Sequence, residues 1–415
     1  MKALKIAVVG YGSFSPEFIP LFQMHPNVGE VSVADTNSDR CDRARSDFGI
    51  QRTFSSLDEA LRSDIDAVAI FTQRHLHGSQ AIQALEAGKH VFSAVPATVS
   101  LPELYKLIET VKATRLTYML GETSYYYPST IYCRRKFRDG EFGRFVYGEG
   151  CYSHDMSHGF YEAFKNTGGL NWRRVAGVPP MYYPTHSTSM ILSVVGGRMT
   201  SVSCLGVRDD SDDGVFGEGK NQWDNPFSNQ IALFRTSCGG VARVAEMRRV
   251  GWIGRRPSVY MSLYGTLGTF EEQGNAVGWG TLTAPMEQDP ELLTLLTCDK
   301  PYMTGEEWLQ KQAKQRMGVQ EDFVSGKAPI HPKHKLPAVY DGLIDGHEGS
   351  HQFLVHDFLV AVVTGKLPPN HAWAAAKYNA PGLVAHESSL RGGESLPIPD
   401  FGDPPDDWEL IEPCC

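Results

Sequence analysis

The chain has 415 residues, of which 41% are hydrophobic and 21% charged, and its formal net charge is −9 at pH 7. This balance is typical of a soluble globular protein, and the acidic surplus argues against nucleic acid or an anionic membrane as a partner. No apolar stretch approaches the length of a membrane span. Because a predicted strand begins almost at once, with no signal-peptide layout, we expect a cytoplasmic location.

The first forty residues predict a dinucleotide-binding unit. An apolar, β-rich run leads into Gly10 and Gly12, a helix follows, and a second strand ends at Asp35. Glycines at such a turn let the backbone approach a pyrophosphate, and the following helix presents its free N–H groups to it. A carboxylate at the end of the second strand accepts hydrogen bonds from ribose hydroxyls and repels a 2′-phosphate, which favours NAD over NADP. The NAD contacts predicted in this unit are Gly10, Gly12, Ser13, Phe14 and Asp35.

Strands and helices continue to alternate to about residue 121, which predicts a doubly wound parallel sheet. The further predicted strands are 51–54, 66–71, 90–93 and 116–120, and the predicted helices are 38–48, 57–62, 78–87 and 101–113. Ligands of such sheets lie beyond the carboxyl ends of the strands. Residues that follow two of these ends are therefore expected to border the cofactor: Thr72, His75, His77, Ala94, Val95 and Pro96.

After residue 121 the pattern changes to longer alternating strands with few helical crossovers, which predicts an α+β domain with a large open, mainly antiparallel sheet. The predicted strands are 145–152, 200–207, 230–235, 240–249 and 259–270, and helices are predicted at 132–137, 186–195 and 351–364. We therefore expect an NAD-binding domain over residues 1–121 and a substrate-binding domain over 122–415. Polar insertions are expected near 208–229 and 285–337, the second with a charged helix at Glu306–Lys314. An aspartate run in the first insertion is interpreted as a solvated loop rather than a cation site.

Four stretches of the second domain concentrate tyrosine, histidine and carboxylate side chains. These groups move protons between hydroxyls and carbons near neutral pH. Any one stretch on its own is better explained as hydrogen-bonded core or surface, but four together favour a catalytic cleft. The candidates drawn from them are Glu122, Tyr152, His154, Asp155, Tyr182, Tyr183, His186, His347 and His351.

A zinc site is the less favoured interpretation of two histidine pairs. His154 and His158 lie four residues apart, and residues 347–351 match the letters of H-E-x-x-H. That motif binds zinc only within a regular helix, where both imidazoles share one face. Gly346 and Gly349 disfavour such a helix. We therefore predict no metal.

Several motifs resemble the Gfo/Idh/MocA oxidoreductases: Gly10-x-Gly12, Thr72-x-x-His75-x-His77, Gly88-Lys89-His90-Val91 with Val95-Pro96, and Gly265-Thr266-Leu267-Gly268-Thr269. The resemblance implies a Rossmann domain followed by an open-sheet substrate domain, with NAD as cofactor. Two departures stand against a plain dehydrogenase. The family's Glu-Lys-Pro, whose lysine is a catalytic proton donor or acceptor, is replaced by Ala94-Val95-Pro96. Its aspartate four residues before the catalytic histidine is replaced by Tyr182.

The NAD-dependent α-N-acetylgalactosaminidase branch of this family is more similar. Its motifs are matched by Val95-Pro96-Ala97, by Tyr152-Ser153-His154-Asp155 and by Tyr183-Pro184-Thr185-His186, and imperfectly by Gly346-His347-Glu348-Gly349. The likeness implies that Glu122, Tyr152 and His186 are functional residues, and we add Tyr183 as a further catalytic candidate. His154, Asp155, Tyr182, His347 and His351 are predicted to contact the substrate.

The resemblance predicts redox-neutral cleavage of a glycoside. Hydride leaves sugar C3 for NAD while His186 takes the hydroxyl proton, and a weak base such as Tyr152 then removes the acidified C2 hydrogen. A net sugar or cyclitol dehydrogenase is the second hypothesis, and a non-catalytic NAD- or sugar-binding protein the third. The expected partners are a small carbohydrate or glycoside and further copies of the chain, paired through the open sheet.

Overall fold

The computed structural model describes residues 3–251, 259–273, 276–299, 326–343 and 345–412. The first part of the chain forms a six-stranded parallel sheet flanked by helices. Its strands are β1 (Leu4–Val9), β2 (Val28–Ala34), β3 (Thr53–Phe54), β4 (Ala67–Ile70), β5 (His90–Ser93) and β6 (Tyr118–Leu120), and its helices are α1 (Ile19–Met24), α2 (Ser38–Phe48), α3 (Leu57–Leu61), α4 (His77–Glu86) and α5 (Leu101–Thr114).

The strand order is β3-β2-β1-β4-β5-β6, the order of a Rossmann sheet. Residues 6–9 of β1 and all of β4 are buried, because helices cover both faces of the sheet. The predicted doubly wound parallel sheet is confirmed. The chain reverses its direction of winding next to β1, so the crevice for a dinucleotide opens at the carboxyl ends of β1 and β4.

The second part of the chain forms a nine-stranded sheet with helices packed on one side. Its strands are β7 (Phe145–Ser153), β8 (Met199–Arg208), β9 (Phe227–Thr236), β10 (Val241–Met247), β11 (Val259–Gly265), β12 (Gly268–Gln273), β13 (Ala276–Thr281), β14 (Glu287–Gln288) and β15 (Leu396–Pro397). The helices are α6 (Pro128–Arg138), α7 (Tyr161–Gly168), α8 (Trp172–Ala176), α9 (Thr185–Val195), α10 (Pro290–Leu296), α11 (His351–Thr364) and α12 (Ala372–Leu390).

The order of this sheet is β14-β13-β12-β11-β7-β10-β9-β8-β15. Among the described strand pairs of this nine-stranded sheet, only β7–β10 is parallel. The predicted mainly antiparallel open sheet is therefore confirmed. The predicted strand 259–270 is instead a hairpin of β11 and β12, since the chain turns at Thr266 and Leu267. The predicted helix at Glu306–Lys314 lies outside the described residues.

Helices late in the chain complete the core of the first sheet. Phe358 of α11 packs on Phe92 of β5 with 5.7 Å between ring centres. Asn379 of α12 accepts a hydrogen bond from the backbone N–H of Thr98 through its Oδ1, at 2.9 Å. The first 121 residues thus share their hydrophobic core with segments that lie more than 200 residues later in sequence. Both sheets and the cleft between them are joined by common packing.

Candidate active site

The glycine turn after β1 is shaped for close approach of a ligand. Gly10 has a φ of +90°, and a Cβ at this position would lie 3.0 Å from the backbone carbonyl carbon and oxygen of Phe71. The carboxylate of Asp35 accepts hydrogen bonds from the backbone N–H groups of Tyr11 and Asn37, each at 2.8 Å. Because these bonds hold the turn against the end of β2, Asp35, the predicted ribose contact, also fixes the backbone of the predicted phosphate-binding turn.

Arg40 is a further candidate for the cofactor site that the sequence analysis missed. Its Nη1 lies 3.6 Å from Oδ2 of Asp35, and both residues line the hollow between the glycine turn and Leu57. An arginine at this place neutralises part of the charge that Asp35 presents to a ribose 2′-position. Its position on the first turn of α2, five residues after the acid, was the available signal.

The loops after β4 and β5 are tied together by His77. One ring nitrogen lies 3.0 Å from the carbonyl oxygen of Pro96 and the other 3.0 Å from that of Thr72. Burial lowers the pKa of His77 to about 4, so the ring is neutral at pH 7 and donates to one carbonyl at a time. His77 therefore fixes the spacing of the two loops that border the cleft. His75 turns away and contacts the ring of Trp223, with 6.0 Å between ring centres.

Helix α7 covers the glycine turn, an element that the sequence analysis did not predict. The side chain of Gln73 donates to the carbonyl of Thr167 at 2.9 Å, and Asn166 Nδ2 donates to Ser13 Oγ at 3.3 Å. Phe160, Phe164 and Thr167 have helical spacing, which was the missed signal. A dinucleotide at the turn would lie beneath this helix, which restricts its exchange with solvent.

His186 and Glu122 form a buried pair at the other wall of the cleft. Nδ1 of His186 lies 2.7 Å from Oε1 of Glu122, which also accepts from the N–H (3.0 Å) and hydroxyl (2.7 Å) of Ser124. A carboxylate only accepts hydrogen bonds, so Nδ1 carries the proton and Nε2 of His186 is a base. Burial opposes ionisation of Glu122, but the neighbouring His186, which donates to it, and the hydrogen bonds from Ser124 lower its pKa.

Close packing of α9 on β7 sets the position of His186. A Cβ at Gly150 would lie 2.4 Å from the carbonyl oxygen of Ser187, so only glycine lets the helix come this close to the strand. The ring of His186 then lies edge-on to Tyr152 and Tyr183, with 5.3 Å between ring centres in each case. The close packing of α9 on β7 thus sets the position of His186 relative to both tyrosine rings.

The two catalytic tyrosine candidates have different surroundings. Tyr183 lines the cleft, and the guanidinium carbon of Arg74 lies 4.6 Å from its ring centre. Burial raises the pKa of Tyr183, and the charge of Arg74 opposes that rise. Tyr152 is 2% exposed and its hydroxyl lies 2.8 Å from Nδ1 of His154. Since His154 Nε2 must donate to the carbonyl of His158 at 2.7 Å, Nδ1 accepts the Tyr152 proton.

The remaining substrate-binding candidates fall into two groups. His347 lines the cleft, and His351 lies directly behind it. Asp155 instead caps the turn that follows it, by accepting from Ser157 and Val250 at 2.7–2.9 Å. Tyr182 lies against the ring of His386, with 5.0 Å between ring centres. Asp155 and Tyr182 thus contact other residues of the second domain in the structure.

The structure brings twelve of the predicted site residues to two adjoining hollows, one beside Asp35 and one beside His186. Those lining the hollows are Gly10, Gly12, Ser13, Phe14, Asp35, Thr72, His77, Ala94, Val95, Tyr183, His186 and His347. The others line neither hollow: His75, Pro96, Glu122, Tyr152, His154, Asp155, Tyr182 and His351. The cofactor turn and the histidine–carboxylate pair therefore face one cleft.

Comparison with known proteins gives three findings. Residues 4–122 match the model of the Gfo/Idh/MocA family, described as an oxidoreductase family with an NAD-binding Rossmann fold. A protein named glycosyl hydrolase family 109 protein, from Streptomyces filamentosus, is 25% identical over 432 residues, with 96% of this chain and 78% of that protein covered. Levoglucosan dehydrogenase, solved with NADH and L-sorbose, superimposes with a TM-score of 0.71 at 18% identity, covering 97% of this chain and 100% of that one.

A further solved structure, myo-inositol 2-dehydrogenase from Lactobacillus plantarum, superimposes with a TM-score of 0.67 at 16% identity, with 96% of this chain and all of that chain covered. The chain is thus an NAD-dependent enzyme of the oxidoreductase type. Its cofactor-binding domain matches the Gfo/Idh/MocA family model, and nearly its whole length is similar to proteins named glycosyl hydrolase family 109. The predicted family resemblance and NAD cofactor are confirmed.

Proposed function

We propose that this enzyme cleaves a glycoside by a redox-neutral route that begins with oxidation of a sugar carbon. The observation that carries the proposal is the His186–Glu122 pair, a base held by a buried carboxylate in the cleft that the glycine turn borders. Gly10, Gly12 and Asp35 would hold NAD, which would supply a reversible hydride acceptor for the sugar carbon. The similarity to glycosyl hydrolase family 109 proteins supports this choice.

His186 takes the proton of the hydroxyl whose carbon loses the hydride. Its Nε2 is the acceptor nitrogen, because Nδ1 donates to Glu122 at 2.7 Å. The imidazolium that forms is stabilised by the ionised Glu122, whose other donors come from Ser124. This is the general-base arrangement in which a carboxylate fixes the tautomer and orientation of a histidine.

Tyr183 is the base that we assign to the C2 hydrogen, with Tyr152 in a positioning role. Once C3 is a ketone the C2 hydrogen is acidic, and its removal pushes the electron pair toward C1, where the bond to the leaving oxygen breaks. Water then adds at C1 and a proton returns to C2, after which reduction of the C3 ketone restores the hydroxyl. Tyr183 lines the cleft beside the guanidinium of Arg74, which stabilises its phenolate form. The hydroxyl proton of Tyr152 is committed to His154, and its ring supports His186.

The proposal is tested with p-nitrophenyl N-acetyl-α-D-galactosaminide and catalytic NAD in D₂O. We expect p-nitrophenol release without NADH build-up, and deuterium at C2 of the released sugar. Tyr183→Phe should remove both the cleavage and the deuterium. Tyr147→Phe is the matched control, because Tyr147 bonds Glu149 on the far side of the sheet. Cleavage without deuterium at C2, or with Tyr183→Phe fully active, contradicts the proposal.

A net sugar or cyclitol dehydrogenase is the second candidate. It is favoured by the structural likeness to levoglucosan dehydrogenase and to myo-inositol 2-dehydrogenase. It predicts NADH formation in step with sugar consumption, with levoglucosan or myo-inositol as the first substrates to assay. The non-catalytic alternative is disfavoured by the family match.

We further propose a homo-oligomer that pairs through the outer face of the nine-stranded sheet. Leu205, Leu233 and Val241 are 45–63% exposed there, and apolar side chains in such a group mark an interaction surface. Light scattering of wild type and Leu233→Glu tests this, since the substitution should yield monomers. The cytoplasmic location stays a prediction; among the described helices, none is both long and apolar enough to cross a membrane.

A further inference from the structure

Three side chains connect the cleft to the surface in series. His347 lines the cleft, and its Nδ1 lies 2.8 Å from Nε2 of His351, which is fully buried. The other nitrogen of His351, Nδ1, lies 3.3 Å from Oε2 of Glu17, whose side chain is 37% exposed. The catalytic base His186 lines the same cleft as His347. A line of exchangeable groups therefore runs from the catalytic wall to solvent.

The backbone and two aromatic rings hold this line in place. His347 and Glu348 have φ values of +46° and +56°, in the left-handed region that non-glycine residues avoid. Helix α11 begins only at His351, so the two imidazoles do not share one helical face. Phe18 packs on His351 and Phe14 on His347, with ring centres 4.2 Å and 5.2 Å apart. Strained backbone of this kind is found at functional sites.

The geometry is that of a chain rather than a chelate. Glu17, His347 and His351 could each place one ligand atom within 4.8 Å of the others. His351, however, directs one nitrogen to each neighbour, whereas a metal ion takes a single nitrogen from each imidazole. His347 and His351 are hydrogen-bonded at 2.8 Å, and the Glu17 carboxylate faces the far nitrogen of His351 at 3.3 Å, an ordered series along which a proton can pass.

We propose that His347, His351 and Glu17 form a proton relay between the catalytic cleft and solvent. The inference rests on the proposed function, which supplies the proton. In the relay, Nδ1 of His351 carries the proton that passes to the facing Glu17 carboxylate, which only accepts, and Nε2 of His351 accepts one from Nδ1 of His347. A proton that arrives at Nε2 of His347 displaces the Nδ1 proton to His351, and that ring passes its own to Glu17. One proton enters and one leaves.

Both rings have the protonation state that this transfer needs. Burial lowers the pKa of His351 to about 3. Burial lowers the pKa of His347 well below its ordinary value, and the neighbouring imidazoles of His351, His186 and His154 lower it further. The imidazoles of His347 and His351 are therefore neutral at pH 7, with one N–H and one lone pair each. His186 lines the same cleft as His347.

Gly346 offers a way to break the relay without removing a titratable group. A Cβ there would lie 2.5 Å from Oε2 of Glu17 and 2.5 Å from Cε1 of His351. Gly346→Ala should therefore separate the last two members. Glu17→Gln is the second variant, since an amide keeps the shape of the carboxylate but takes up no proton. Glu86→Gln on the exposed face of α4 is the matched control.

The experiment is a single turnover of NAD-loaded enzyme mixed with methyl N-acetyl-α-D-galactosaminide, or with levoglucosan if net oxidation is found. NADH absorbance and a pH-indicator dye are followed together. Wild type and Glu86→Gln should release one proton with each NADH. In Gly346→Ala and Glu17→Gln the release of the proton should be slower than the formation of NADH by about 100-fold, the low end of general acid–base contributions. Proton release at the wild-type rate in both variants overturns the relay.

A second measurement keeps the inference separate from the proposed function. Nitrogen-15 NMR of the wild-type enzyme should find the proton on Nδ1 of both His347 and His351. A proton on Nε2 of either ring, or one equivalent of bound metal by elemental analysis, overturns the relay. If no substrate yields NADH, the proposed function fails, and the NMR result alone decides the relay.

Discussion

Replacing Glu122 by glutamine tests the histidine–carboxylate pair most sharply. The substitution keeps the shape of a side chain that is fully buried, and it removes the charge opposite His186. It also allows the amide to donate to Nδ1, which would place the proton on Nε2 and remove the base. Glu122→Gln should therefore slow the oxidation step while leaving the fold intact.

The size of the loss follows from the contacts. The hydrogen bond from His186 to Glu122 is 2.7 Å long and becomes ionic when His186 takes a proton. Hydrogen bonds to charged groups contribute about 1.5–3 kcal/mol. At 1.36 kcal/mol for each factor of ten in rate, the predicted loss is about 10- to 150-fold.

The assay is the single-turnover rate of NADH formation, with the thermal midpoint measured in parallel. Glu149→Gln is the matched control: Glu149 pairs with Arg243 at 2.9 Å on the sheet, away from the cleft, and its replacement should leave the rate unchanged. A Glu122→Gln enzyme that is folded and forms NADH within threefold of the wild-type rate would refute the role of the pair.

Three further predictions concern the cofactor, the packing and the pH dependence. Asp35→Ser should raise the preference for NADP over NAD by about tenfold or more, because Arg40 then faces a 2′-phosphate unopposed; steady-state kinetics with both cofactors measures it. Gly150→Ala should lower the free energy of unfolding by about 1–3 kcal/mol and reduce the rate, because the new Cβ meets Ser187; urea unfolding checks the first effect. The free energy of unfolding should fall as the pH drops from about 6.5 toward 4. Buried histidines such as His77 have pKa values in the folded state below those in the unfolded chain, so the unfolded chain binds more protons over this range. Midpoints of urea unfolding that do not change across this pH range would contradict the prediction.

Local patterns predicted the Rossmann half well, because each of its strands is a short apolar run followed by a glycine, a proline or a polar loop. The order of strands follows from a general rule of chain connection, so the crevice at the ends of β1 and β4 could be anticipated. The Gly10 turn and Asp35 are local features with a fixed spacing, and the structure places both at the predicted hollow.

The sequence patterns did not predict helices α12 and α7, and the reasons are physical. Helix α12 is buried along nearly its whole length, so it has no polar face to show a period. It also contains Pro381 and Gly382, which usually mark breaks; Gly382 is needed because a Cβ there would lie 2.0 Å from the carbonyl oxygen of Met181. Such close approaches depend on tertiary packing and leave no trace in local sequence.

The site could be predicted as a set of residue types but not as an arrangement. Tyr152 and Tyr183 have the same chemistry in the sequence, and only the fold distinguishes the one bonded to His154 from the one that lines the cleft. In the same way, His347 and His351 have metal-ligand spacing, and the left-handed backbone at His347 turns them into a series that ends at Glu17. These distinctions require contacts between residues far apart in sequence.

The fate of the sugar hydrogen at C3 tests the proposed redox-neutral mechanism most directly. A glycoside labelled with deuterium at C3 is mixed with the NAD-loaded enzyme in a single turnover, and the cofactor is recovered for mass spectrometry. If the sugar is oxidised at C3 with His186 as the base, the reduced cofactor contains deuterium in the wild type and this transfer is lost in His186→Asn. Cleavage of the labelled glycoside with no deuterium ever reaching the cofactor would contradict this mechanism.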